Sequence, residues 1–264
     1  MKDKKNFLKL ALFVLVLLSI ICSSSFIYSG YNGGNMQAAD LPGTPGIYEQ
    51  TLKLENGNAL RYTLSIPKAF SLQKETSLIV ALHYGGNVSP WYGKGYLAIL
   101  VEPALRDLGA VIAAPDCPEK DGWDNPAAES AVLQLVTYIR EHYKIHHKKI
   151  LVTGFSMGGI GTWYLAARNP KLFSAAIPIS AVAEPEIIET IRDIPVYAIH
   201  STGDQLFPIK KVEEMIQKLK ARGLPVQLQI LDGVSHFRTN AFVAPLHDAI
   251  PWIKQVWDKI DGKK

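Results

Sequence analysis

Lys149-Ile-Leu-Val-Thr-Gly-Phe-Ser-Met-Gly-Gly-Ile-Gly-Thr-Trp-Tyr164 is the stretch whose reading decides the fold. Lys149 to Thr153 have strand character, and the run from Met157 to about Arg168 suits a helix. Between them, Gly154-Phe155-Ser156-Met157-Gly158 matches G-x-S-x-G, a strand-to-helix turn so sharp that the serine hydroxyl stands clear of the sheet. The helix can approach the strand only where the residues two before and two after the serine carry no side chain. Gly154 and Gly158 meet that demand, and Gly159 eases it further. With Gly and Ser each near 7% of residues, a chain of this length carries the bare pattern by chance about one time in ten. The weight comes from the strand before it, the helix after it and the partners downstream.

The flanking pattern alternates. Ile47–Leu54 and Leu60–Ile66 read as a hairpin turned by Glu55-Asn-Gly-Asn58, with Pro67 ending the second strand. Ser77–His83 and Ala110–Ala114 are continuous apolar runs, as in strands buried on both faces. Helical spacing covers Tyr96–Leu108 and about Ala127–Tyr143. Beyond the elbow helix come strand Ala175–Ser180, strand Pro195–His200, helix Ile209–Ala221, strand Val226–Leu231 and a final helix, about Ala244–Ile260. Strands alternating with helices predict an α/β fold: a mostly parallel sheet with an antiparallel N-terminal hairpin and helices on both faces. Only about 14 residues separate the Ala175–Ser180 and Pro195–His200 strands, too few for a cap domain.

The N-terminus reads as a leader. Lys2, Lys4, Lys5 and Lys9 precede an apolar run from Leu10 to Cys22, the pattern of a secretory signal. Thirteen helical residues span about 20 Å, short of the roughly 30 Å hydrocarbon core. Extension to Tyr28 nearly reaches it, so cleavage after Ser25 and retention as a membrane anchor both stand open. The expected organisation is a leader or anchor at 1–28, a linker at 29–45 and an α/β domain at 46–264. Four lysines and one aspartate in residues 1–39 account for three of the four net positive charges, leaving a near-neutral body. Such a body argues against nucleic acid as a partner, and the membrane enters only through the leader. Cys22 and Cys117 are the two cysteines, so the domain has no partner for an internal disulfide. His142, His146 and His147 lack zinc-ligand spacing and read as surface; no metal or other cofactor is called for. Nothing in the residue pattern assigns an oligomeric state.

In parallel sheets the site lies outside the carboxyl ends of the strands. Ser156, His83, Asp204 and His236 all fall at or just after such ends. A serine hydroxyl needs a base within hydrogen-bond reach, and that base needs a third group to fix its tautomer. Asp204, in His200-Ser-Thr-Gly-Asp204, and His236, in Gly233-Val-Ser-His236, follow Ser156 in the order Ser…Asp…His. His200 and His247 compete for the base, but one lies inside an apolar strand and the other inside the last helix. The oxyanion hole should use the Met157 N–H and a second from the loop His83-Tyr84-Gly85-Gly86-Asn87. Trp91, Tyr92 and Trp123 are candidates for lining a cleft, with Trp123 taken as substrate-binding.

These pieces, with Ala114-Pro-Asp-Cys-Pro118 and Asn169-Pro-Lys-Leu-Phe-Ser-Ala-Ala176, resemble the α/β-hydrolase superfamily. The likeness is nearest to bacterial carboxylesterases of the dienelactone-hydrolase, phospholipase/carboxylesterase and "predicted peptidase" type. It implies Ser156 as nucleophile, Asp204 as acid and His236 as base. Many relatives have His-Gly where this chain has His83-Tyr84. Register puts the second oxyanion N–H on Gly85, while the bulk of Tyr84 would shift it to Tyr84 itself and narrow the acyl pocket. The expected activity is a secreted serine carboxylesterase acting on short-chain, acetyl or feruloyl-type esters or on polyesters, polymeric substrates included. Two alternatives stand beside it: a peptidase using the same triad, and a surface binding protein on a hydrolase scaffold. The first lacks the propeller or cap that selects peptides, and the second would be expected to have lost a triad member.

Overall fold

The computed structural model describes residues 41–262 apart from 87, 88, 119 and 121. The expected leader and the linker up to residue 40 lie outside the described residues. Eight strands form one sheet: β1 (Gly46–Lys53), β2 (Ala59–Ile66), β3 (Thr76–Leu82), β4 (Val111–Pro115), β5 (Ile145–Phe155), β6 (Ala175–Ile179), β7 (Val196–Ser201) and β8 (Val226–Leu231). Their order is β1-β2-β4-β3-β5-β6-β7-β8. β1 and β2 pair antiparallel, as do β2 and β4, and every pairing from β4 across to β8 is parallel.

The helices are α1 (Tyr92–Tyr96), α2 (Glu102–Leu105), α3 (Pro126–His142), α4 (Met157–Arg168), α5 (Pro185–Thr190), α6 (Ile209–Ala221), α7 (Val243–Asp248) and α8 (Ile250–Ile260). The pleat of β3 shows why its apolar run is continuous. Leu78, Val80 and Leu82 join a core with residues of α3, α4 and α6, while Ile79 and Ala81 join a second core with the 96–105 segment, α7 and α8. Each face of the central strands is therefore covered by helices.

Several boundaries differ from the sequence reading, each for a local reason. The first helical segment begins at Tyr92 rather than Tyr96 and passes through a π turn at Leu97–Val101 before α2. The final helix is split between α7 and α8. Pro251, in the first turn of α8, cannot donate a backbone hydrogen bond to residue 247, so the ladder breaks there. β5 reaches back to Ile145, which pairs with Thr76 across a register shift. Between β6 and β7 the chain makes one short helix, α5, opened by Pro185 at its first position.

Candidate active site

The elbow is built as its residue types demand. Ser156 sits at φ 54 and ψ −116, a positive φ that costs a non-glycine residue on the order of 1–3 kcal/mol. Two backbone bonds hold it there: Ser156 N–H donates to Ile179 O on β6, and Ile160 N–H to Ser156 O, both at 2.9 Å. A Cβ on Gly158 would fall 1.9 Å from Leu82 O, and one on Gly154 would fall 2.2 Å from Gly158 O. The absence of side chains lets α4 press against β3 and β5. Met157 is the first residue of α4, so its N–H has no intrahelical acceptor.

Asp204 and His236 reach the same place from the ends of β7 and β8. Their loops touch backbone to backbone, since a Cβ on Gly203 would lie 2.5 Å from Gly233 C. Thr202 fastens them further: its hydroxyl donates to Asp232 Oδ1 at 2.9 Å and accepts from Gly233 N–H at 2.8 Å. The two side chains then meet, with His236 Nδ1 2.8 Å from Asp204 Oδ2 and His236 Nε2 2.9 Å from Ser156 Oγ. Asp204 is buried, and burial alone would raise its carboxyl. Hydrogen bonds from His236 and from the Phe207 and Leu206 N–H groups, with the His236 charge, outweigh that and hold it below the usual carboxylate value. An ionised Asp204 keeps the imidazole proton on Nδ1 and leaves Nε2 as an acceptor facing the serine hydroxyl.

The other two histidines at strand ends serve the loops. His83 is fully buried; its Nδ1 donates to Tyr84 O at 2.7 Å and its Nε2 accepts from Cys117 N–H at 2.9 Å. Burial pushes its imidazole below the ordinary value, against the Tyr84 bond and the Asp116 charge, so it is a neutral strut between two loops. His200 is likewise buried, and its Nε2 donates to Phe207 O at 2.7 Å. Burial again lowers it, with the Phe207 bond and Asp204 pulling the other way. Its Nδ1 has no hydrogen-bond partner among the described residues, and its Nε2 lies 3.8 Å from Asp204 Oδ2, so it braces the Asp204 loop. His247 is on α7, 3.8 Å from Asp107.

Trp123 requires a correction. The sequence reading assigned it to substrate, but its exposure is 0%. The indole N–H donates to His83 O at 3.0 Å, and its ring meets His83 edge-on at 5.2 Å. Its Cβ occupies the space that Gly161 of α4 leaves open. An amphipathic indole that finds an acceptor inside the core is held there, with no face left for a ligand. The Tyr84 ring turns inward. Its half-buried ring packs against Tyr92 at 5.7 Å, Tyr96 at 6.0 Å and Phe155 at 6.3 Å, as part of the second core. The next residue, Gly85, lies against Met157, whose Sδ would be 3.6 Å from a Cβ placed on that glycine.

Sequence reasoning missed two residues here. Gln205 Oε1 accepts from both Ser235 Oγ and His236 N–H at 3.1 Å, pinning the His236 loop to the Asp204 loop. Phe237 meets the His236 ring edge-on at 5.6 Å. Neither has a spacing signal, because each acts across a contact that the loops create. Two open clefts, of about 530 and 550 Å³, lie elsewhere, one beside α3 (Gln134, Arg168) and one beside α8 (Trp252, Val256). None of Ser156, Asp204 and His236 lines either cleft.

The eight-stranded sheet, the elbow and the hydrogen-bonded Ser–His–Asp set at adjacent strand ends define an α/β-hydrolase. A model of the dienelactone hydrolase family matches residues 114–251, more than half of the chain, and the chain belongs to that family. Among curated relatives it is 26% identical over 177 residues to a protein of Aspergillus terreus named "Probable feruloyl esterase C", covering 62% of each chain. It is 30% identical over 125 residues to "Probable acetylxylan esterase A" of Aspergillus niger, covering 43% of this chain and 40% of the relative. Among solved structures, a thermostable esterase aligns with a TM-score of 0.67 at 25% identity, over 79% of this chain and 62% of the other. The chain thus spans less than two thirds of the length of each of these three proteins.

Proposed function

We propose that this chain is an exported serine hydrolase that cleaves carboxylic esters through Ser156, His236 and Asp204. The observation that carries the reading is the unbroken hydrogen-bond chain, 2.9 Å from Ser156 Oγ to His236 Nε2 and 2.8 Å from His236 Nδ1 to Asp204 Oδ2. Ser156 Oγ gives its proton to Nε2 as it bonds to the ester carbonyl carbon, and the carbonyl π pair moves onto oxygen. The Met157 N–H, which has no intrahelical acceptor at the start of α4, and an N–H of the Tyr84–Gly85 segment stabilise that oxyanion. The contact of Gly85 with the Met157 side chain supports Gly85 as the second donor. When the tetrahedral species collapses, the ester C–O bond breaks and the imidazolium proton passes to the departing alkoxide. Water then attacks the acyl-enzyme with His236 as base, regenerating Ser156 and releasing the acid.

Family membership and the esterase names of the relatives support ester over amide chemistry. Acetyl and feruloyl-type esters, including those carried on polymers, are the substrates those names favour. The short β6–β7 connection, which holds α5 alone, inserts no cap domain at that point of the described residues, and this supports bulky substrates. The lysine-then-apolar pattern of residues 2–22 supports export. The decisive experiment is hydrolysis of p-nitrophenyl acetate together with fluorophosphonate labelling, in wild type and Ser156→Ala. Wild type should turn over and label, and the variant should do neither; equal behaviour of the two overturns the assignment.

A further inference from the structure

His236 stands in an aromatic frame. Phe155 is 5.3 Å from its ring centroid, Phe207 5.7 Å and Phe237 5.6 Å. Phe155 is buried and Phe207 half-buried, so both are committed to the fold. Phe237 is 64% exposed. Four other large apolar side chains among the described residues, all aliphatic, are more than a third exposed, at 40–49%. An isolated exposed apolar residue is ordinary. A phenyl ring edge-on to the His236 imidazole, with most of its surface in water, is open to contact from a bound group.

The backbone beneath it is fixed. Arg238 N–H closes a turn onto Ser235 O at 3.0 Å, and Gln205 holds Ser235 and His236 from the neighbouring loop. Phe237 therefore presents its ring from a supported position, which lowers the entropy cost of making a contact.

The chemistry says which half of the ester meets that ring. His236 Nε2 must come within roughly 2.6–3.2 Å of the leaving oxygen to return the proton. The alcohol group carried by that oxygen then begins one bond further out, beside the imidazole. The carbonyl oxygen turns instead toward the Met157 N–H. We infer that Phe237 is a specificity-determining residue that selects the alcohol part of the ester, favouring leaving groups that carry a flat ring face. A ring laid on Phe237 removes apolar surface from water on both partners and gains the offset or edge-to-face contact that aromatic pairs prefer.

The inference rests on the ester-hydrolase reading above, and the test separates the two. Benzyl acetate and ethyl acetate share an acyl group and have leaving groups of similar basicity, while ethyl phenylacetate moves the ring to the acyl side. kcat and KM are measured for all three in wild type, Phe237→Ala, Phe237→Trp and Ile47→Ala, the last an exposed residue on the opposite edge of the sheet. Phe237→Ala should lower the benzyl-to-ethyl acetate ratio of kcat/KM about tenfold, or ~1.4 kcal/mol, mainly through KM. Phe237→Trp should keep that ratio near wild type, and Ile47→Ala should leave it unchanged. The phenylacetate-to-acetate ratio should move less than about twofold in every variant. An unchanged benzyl ratio overturns the inference, as does a fall that follows the acyl ring, or an equal loss of kcat on all three esters. If wild type cleaves none of the three and fails to take up fluorophosphonate, the ester-hydrolase reading falls and this inference falls with it.

Discussion

Replacing Asp204 by Asn removes one charge and almost no volume, so its effect isolates the orientation of His236. Asp204 Oδ1 accepts from Leu206 N–H at 2.9 Å and Phe207 N–H at 2.8 Å, and these backbone donors cannot turn away. An asparagine must leave its oxygen there and aim its NH2 at His236 Nδ1, where Oδ2 now accepts at 2.8 Å. A donor facing Nδ1 moves the imidazole proton to Nε2, where it points at Ser156 Oγ. The hydroxyl then has no base to receive its proton. A wrong tautomer of this kind costs about 10⁴ in kcat, or ~5.4 kcal/mol of transition-state stabilisation. Stability should suffer much less, because both N–H donors keep an oxygen acceptor and only its charge is lost. That loss is on the order of 1 kcal/mol, or about 2–4 °C in Tm. The assay pairs kcat on p-nitrophenyl acetate with thermal unfolding of the same preparation. An Asn variant within tenfold of wild-type kcat, with Tm unchanged, would refute the role given to Asp204.

Two further predictions concern the supports of the site. Trp123→Phe keeps the core filled but deletes the hydrogen bond to His83 O, which should lower stability by about 1 kcal/mol, read as a Tm shift of about 2–4 °C. Because that bond braces the His83–Gly86 loop proposed to supply an oxyanion donor, kcat should fall with KM little changed; a rise in KM alone would return Trp123 to the substrate. Lowering the pH from 7.5 to 5.5 should lower the urea midpoint at constant m. His83 and His200 are held below the ordinary imidazole value by burial, so the unfolded chain binds protons there that the native chain refuses. Stability is lost as pH falls below the unfolded value near 6.5. Asp204 adds a loss in the same direction at lower pH, since its depressed carboxyl stabilises above about 3.8 and ceases to as pH falls through the folded value. A midpoint at pH 5.5 equal to or above that at pH 7.5 would contradict the sign.

Much of this was readable in the chain because the demands are local. An elbow needs glycines at fixed offsets, so Gly154, Ser156 and Gly158 announce it over five residues. Strands buried on both faces need unbroken apolar runs, so β3 and β4 were visible with their positions at the centre of the sheet implied. Asp204 and His236 could be placed by chain order, since each follows a parallel strand whose carboxyl end must open on the same edge.

Trp123 shows where that kind of reading stops. A tryptophan near a strand end has the same letters whether its indole faces substrate or donates to a carbonyl inside the core, and the choice rests on a contact made 40 residues away. Tyr84 was conspicuous as a bulky residue in a glycine-rich loop, yet only the packing of Tyr92, Tyr96 and Phe155 decides that its ring turns inward. Gln205 and Phe237 were invisible for the same reason: one binds a loop 30 residues on, and the other matters because of the ring beside it and the water above it. By itself, then, the sequence determined the elbow and the buried strands, because those are set by residues close together in the chain, and the order Ser156, Asp204, His236, because each follows a parallel strand. The tertiary structure alone decided which aromatic rings support the site and which one faces outward, because burial and contact exist only once distant segments have met.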